Sequence, residues 1–174
     1  LETTGFIRIK QSKLEIETQA NNPFHDTFEY GYRIHFDDLN IGDLTIFEGN
    51  TTRLNGQVFG NGKGNSLETA TIHGVLELET SQVNNANIES FNAEILYRNG
   101  MMMIQDGTLK SEIADGSFSG KRDLMDVKNP ENRLNMNINI KNPQPLAKIF
   151  GLKSLVATGN LDGIVQQNDV GFLL

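Results

Sequence analysis

The chain has 174 residues, no Cys and a formal net charge of −7. Without Cys there are no disulfides, thiolate zinc sites, iron–sulfur sites or Cys nucleophiles, and a pI near 4.9 excludes a general nucleic-acid binder, which needs basic patches to release counterions. No apolar run reaches the ~18 residues that a membrane-spanning helix requires. The length suits a single domain with a real core. The opening Leu1-Glu2, without Met, signal peptide or anchor, reads as a piece of a longer protein. Asn occurs 20 times and Gly 17 times, favouring turns, bends and bulges, so the composition leans towards an all-β chain with many short strands.

In chain order, the signal is alternation. Leu14 and Ile16 alternate with Glu15 and Glu17. Phe28, Tyr30, Tyr32, Ile34 and Phe36 recur at period two, with polar or small residues between them. Such a pattern predicts a strand with one dry and one wet face. Leu44 and Ile46, then Leu76 and Leu78, continue it. Phe91, Ala93, Ile95 and Tyr97 form a further dry set, and Asn99-Gly100 follows directly. Asn-Gly supplies the two positive φ values of a type I′ turn, which predicts a hairpin with Met101 to Ile104 as the return strand. Leu134, Met136, Ile138 and Ile140 alternate with Asn135, Asn137, Asn139 and Lys141. One short helix is expected over 143–150, with Pro143 at its first position and Gly151 stopping it. The stretches 61–66 and 123–133 read as loops.

The chain also repeats itself. Gly56-Gln-Val58-Phe-Gly60, Gly116-Ser-Phe118-Ser-Gly120 and Gly159-Asn-Leu161-Asp-Gly163 share Gly-x-apolar-x-Gly, and Gly42 to Gly49 resembles Gly100 to Gly107. The units run approximately 5–60 and 74–120, with a third beginning near 159, inside one β-repeat domain spanning 1–174. Glycine pairs around single apolar residues let a long antiparallel sheet bend and coil.

The order of these signals resembles the AsmA-like family of diderm envelope proteins. It runs from Gly74-Val-Leu-Glu-Leu78 through the pair across Asn99-Gly100, the Asp106-Gly107-x-Leu109 step and Ala114-Asp-Gly-Ser-Phe118-Ser-Gly120 to the strand Leu134–Ile140. The Pro-bearing segment and Thr158-Gly159-Asn-Leu161-Asp-Gly163 complete it. It covers Gly74 to Val165 best and Gly5 to Gly60 less well. The resemblance implies a curled antiparallel sheet, a half-pipe with an apolar interior, projecting into the periplasm from an inner-membrane anchor that lies outside this chain. It also implies a non-enzymatic role in outer-membrane homeostasis or phospholipid movement between membranes.

On that reading the candidate groove lining is Phe28, Tyr30, Tyr32, Ile34 and Phe36; Phe91, Ala93, Ile95 and Tyr97; and Leu134, Met136, Ile138 and Ile140, with Met101, Met102 and Met103 as adaptable surface. The expected partner is a phospholipid or other acyl-chain ligand, with self-association possible through open sheet edges; no cofactor, metal or nucleic acid is expected. Alternation alone favours the same residues as a sealed core between two sheets, and the resemblance brings the open groove level with it. The sealed-core alternative makes the chain a structural or adhesive β-sandwich or solenoid module. A carbohydrate-binding module is a third reading, weakened by the absence of Trp. The acidic residues fall mostly on wet strand faces or in loops. Asp37-Asp38 forms an acidic pair at a strand end, and His25, His35 and His73 show no metal-ligand spacing. The Gly60–Ser66 run does not match a phosphate-binding loop.

Overall fold

The computed structural model describes residues 1–9, 12–21, 28–44, 51–83, 86–126, 129, 131–142, 159–168 and 171–173. The fold is all-β. Its strands are β1 (Glu2–Ile9), β2 (Ser12–Asn21), β3 (Glu29–Leu39), β4 (Thr52–Lys63), β5 (Thr71–Leu78), β6 (Ser81–Val83), β7 (Ala86–Arg98), β8 (Met101–Ser111), β9 (Ala114–Asp123), β10 (Arg133–Ile140), β11 (Gly159–Asn168) and β12 (Gly171–Leu173). All belong to one sheet, paired antiparallel in the order β1-β2-β3-β4-β5-β7-β8-β9-β10-β11-β12, with short β6 bridging β4 and β7. The expected Asn99-Gly100 turn joins β7 to β8, and both its residues carry the positive φ of a type I′ turn, 50° and 82°.

Paired residues in an antiparallel sheet point to the same side, so the register fixes two faces. One row across the sheet reads Ile16, Ile34, Val58, Leu76, Ala93, Gly107, Phe118 and Met136. The next reads Leu14, Phe36, Gly56, Leu78, Phe91, Leu109, Gly116 and Ile138. This dry face runs through the long strands from β2 to β10. The reverse face carries Glu15, Glu17, Arg33, His35, Gln57, Glu77, Glu94, Lys110 and the asparagines of β10.

Three bulges maintain the division. Register shifts occur at Phe36/Leu39 of β3, at Ile88/Ser90 of β7 and at Ile104/Gly107 of β8. Each takes up an acidic or amide-bearing step (Asp37-Asp38, Glu89, Gln105-Asp106), so that Leu39, Phe91 and Gly107 return to the dry side.

No second layer covers this sheet among the described residues: elements in substantial contact are hydrogen-bonded neighbours and nothing else. The closed two-sheet sandwich is therefore not the arrangement of these strands. Accessible area agrees. The chain exposes 11659 Å², whereas a compact monomer of 19.3 kDa exposes about 8,500 Å². The buried apolar residues are few and gather largely near the strand ends. Phe36, Leu54, Ala86, Ile113 and Ala114 lie at one end, Ala70 and Tyr97 at the other. Between them Tyr32, Ile34, Val58, Leu76, Ile95, Ile104, Phe118 and Met136 are only half-buried.

Hydroxyl groups fasten the first of these ends. Ser12 Oγ, 1% exposed, donates to the Asp38 carbonyl at 3.1 Å and accepts from the Asn40 N–H at 3.1 Å. Thr52 Oγ1 accepts from the Ile41 N–H at 2.7 Å. Ser81 Oγ accepts from the Asn55 N–H at 3.0 Å, and Ser111 Oγ donates to the Ala114 carbonyl at 2.6 Å. These irregular turns bury backbone groups that the sheet cannot pair, and small hydroxyl side chains satisfy them.

Three expectations are corrected or fall elsewhere. Asn61–Lys63 is strand, not loop: it completes β4, pairing with Glu29–Gly31 on one side and Thr71–His73 on the other. Two neighbouring strands override its turn-forming composition. Leu44 closes a 3₁₀ turn, Ile41–Leu44, so Gly42 and Gly100 begin unlike structures. Residues 143–150, the expected helix, and Ile46 lie outside the described residues.

Candidate functional site

The dry face is built by a large-to-small code. Each Gly-x-apolar-x-Gly segment lies in a strand, β4, β9 or β11, and in β4 and β9 its two glycines and central apolar residue share the dry side. Glycine on one strand stands opposite a bulky residue on the next: Gly56 opposite Phe36, Gly60 opposite Tyr32, Gly116 opposite Ile138 and Gly120 opposite Leu134. The large side chains lean into the space. A methyl group added at Gly60 would meet Tyr32 Oη at 2.9 Å and Gly74 Cα at 2.8 Å, and one at Gly62 would strike the Tyr30 ring. The Phe118 ring covers Gly107 and stacks on Phe91 at 5.5 Å. Aromatic rings laid across strand glycines hold the pairing where no side chain is present to do so, and small residues on one face favour curling towards it.

All thirteen groove candidates fall on this one side. Phe28 precedes β3 and packs on Tyr30 with ring centroids 5.3 Å apart; Tyr30, Tyr32, Ile34 and Phe36 follow along β3. Phe91, Ala93, Ile95 and Tyr97 lie along β7, and Leu134, Met136, Ile138 and Ile140 along β10. The register brings the three sets into common rows. They are not equally available: Phe36, Ala93 and Tyr97 are buried, the rest half-buried. Tyr97 Oη donates to the Leu67 carbonyl at 2.6 Å, so the turn between β4 and β5 folds over that end. Of the methionine run only Met102 faces the dry side; Met101 and Met103 face the wet one. Burial pushes the Tyr30 and Tyr32 phenols above their ordinary range, and in Tyr32 the neighbouring Tyr30 adds to it.

Sequence reasoning missed Ile72, Val58, Ile104, Leu109 and Phe118, which complete the rows. The alternation of β4, β8 and β9 is broken by glycine or a bulge, so their dry positions show only once the register is known.

The wet face carries three open depressions. One of about 560 Å³ spans β1 to β4 beside Glu2, Glu17, Arg33 and Phe59. Another, about 370 Å³, lies beside Gln19, Asn21, Lys63 and His73. A third, about 310 Å³, lies between Gln105, Asp106, Ser117 and Asn135. They follow from twist, which gives a sheet a concave diagonal on either side. Arg33 sits 5.6 Å over the Phe59 ring, His73 Nε2 is 2.7 Å from Glu94 Oε1, and His35 Nε2 is 3.2 Å from Asp37 Oδ1. Asp38 pairs with Arg53 at 2.9 Å, apart from Asp37. Among the described residues no three His, Asp or Glu side chains are grouped to hold a metal ion. His25 lies outside the described residues.

No family model, curated protein or solved structure matches the chain.

Proposed function

We propose that the chain is a non-enzymatic lipid-binding groove module of an AsmA-like envelope protein, working in the periplasm, where it would take part in outer-membrane homeostasis or phospholipid transport between membranes. Its dry face takes acyl chains, and polar headgroups stay at the rim. The observation that carries this reading is a dry face that no second layer covers among the described residues: continuous rows of half-buried Ile, Val, Leu, Met and aromatic side chains over a single sheet. Contiguous apolar surface on this scale marks an interaction site. Burial of apolar area at about 25 cal/mol per Å² holds the chain. Many similar contacts along each row let it shift from one strand to the next.

Native mass spectrometry after gentle extraction tests the reading. The expected result is protein carrying acyl-chain lipid, lost when Ile34, Leu76 and Ile95 are replaced together by Ser. Protein that carries none, and that gives no fluorescence with the apolar probe ANS in its native state, would refute it.

A further inference from the structure

Among the described residues the dry face carries one charge. Following the register through β2 to β10, its polar members are hydroxyl-bearing, such as Thr18, Tyr32, Ser81 and Ser111, and its only ionised member among the described residues is Arg122. Arg122 pairs across the ladder with Met102, which pairs in turn with Tyr97. It lies at the end of β9, at the rim of the face, and is exposed. No ion pair or hydrogen bond to its guanidinium is made by any described residue.

Two acids near it in sequence, Asp123 and Glu131, are otherwise engaged. Asp123 accepts from the Asp126 and Met125 N–H groups and from the Asn129 amide, and these bonds hold its carboxyl below the usual carboxylate range. Glu131 pairs with Lys121, which the register places on the wet side. Beside Asp123 and Asp126, the rim next to Arg122 carries exposed apolar side chains. Leu124 and Met125 follow it in sequence, and Leu67 lies on the turn over Tyr97; these are three of the six large apolar residues that stand most exposed.

We infer that Arg122 is the headgroup anchor of the groove, holding the phosphate of an anionic phospholipid while its acyl chains run inward past Met102 and Ile104. This rests on the lipid-groove reading. A planar, permanently charged guanidinium matches a phosphate in a bidentate pair. A lone charge on an otherwise apolar face fixes which end of an amphiphile points outward, which the uncharged rows cannot do. The occupant is a lipid rather than a soluble phosphate, because the apolar residues beside Arg122 contribute only when a hydrocarbon chain accompanies the anion.

The test is a native mass spectrometry titration with two lipids in one detergent: dioleoylphosphatidylglycerol, and dioleoylglycerol, which has the same chains and no phosphate. Wild type is expected to prefer the phospholipid. Arg122→Gln is expected to weaken phospholipid binding about tenfold, the loss of one charge-assisted contact, and to leave dioleoylglycerol unchanged. Arg122→Lys should retain most of the preference. Glycerol 3-phosphate at millimolar concentration should not displace the phospholipid; if it does, the commitment to a lipid is overturned. Wild type binding both lipids equally, or Arg122→Gln keeping the full preference, would overturn the anchor and leave the groove standing. Wild type binding neither would overturn the groove reading itself. Arg122 is exposed, so a far-ultraviolet spectrum matching wild type is expected of both variants, and Arg98→Gln, on the wet face, is the matched control.

Discussion

Replacing Gly60 by Ala tests the large-to-small code directly. The added methyl group would press on the backbone of β5, lying within contact of the His73 carbonyl and 2.8 Å from Gly74 Cα, with Tyr32 Oη 2.9 Å away. The tyrosine can rotate aside, but the backbone atoms cannot move without opening the β4–β5 ladder. Overpacking of this kind costs about 1–3 kcal/mol, and one weakened ladder bond adds about 0.5–1.5 kcal/mol. Ala restores roughly 0.4–1 kcal/mol by restricting the unfolded chain. The net expectation is a loss of about 0.5–4 kcal/mol, which at a urea slope near 2 kcal/mol/M lowers the midpoint by about 0.25–2 M. Gly5→Ala is the control, because a methyl group there meets nothing within 4 Å. Since the substantial contacts among the described strands run between ladder neighbours, the damage should be local: amides of β4 and β5 lose hydrogen-exchange protection before those of β9 and β10. A Gly60→Ala variant with the wild-type midpoint, or one losing protection evenly over the sheet, would refute the reasoning.

Ser12→Ala leaves the half-buried Asn40 N–H without its acceptor and should cost about 1–2 kcal/mol, read as a lowered thermal or urea midpoint, whereas Glu17→Ala on the wet face should leave it nearly unchanged. Tyr97→Phe removes the bond to the Leu67 carbonyl; limited proteolysis should then cut within residues 64–70 faster than in wild type, with the rest of the sheet intact. The carboxyls of Asp115, Asp123 and Glu131 are held low, Asp115 chiefly by the Lys141 ammonium at 2.5 Å, Asp123 by backbone N–H groups, and Glu131 by Lys121. A depressed carboxyl contributes stability that is present above its unfolded pKa and lost as pH falls through its folded one. The urea midpoint should therefore drop below about pH 4, and Asp123→Asn should flatten that drop. The raised Tyr30 and Tyr32 phenols run the other way: their contribution is complete below the unfolded pKa and lost on the alkaline side, so their phenolate absorbance should appear later than that of a model tyrosine near pH 10.

Alternation read the strands well where it was unbroken. Tyr30 to Phe36 and Leu134 to Ile140 carry their facing in plain sight, and Asn99-Gly100 names its own turn. It read poorly where glycine supplied the dry position, as in Asn61–Lys63, because a residue without a side chain carries no hydropathy signal. Period two also cannot separate an open face from a sealed one. The half-burial of Ile34, Val58 and Leu76 depends on what lies above them, and that is a property of the whole sheet. Arg122 was legible in principle, being two steps of two from Phe118. Its significance came only from knowing that the rest of the face is uncharged.

The three bulges bear on how such a chain tolerates change. Inserting or losing one residue in a regular strand turns every later side chain inside out, as a shifted reading frame garbles every later codon. At Asp37-Asp38, Glu89 and Gln105-Asp106 the backbone already absorbs one such slip and resumes in phase. Single-residue insertions and deletions should therefore be survivable at those points and ruinous a few residues away.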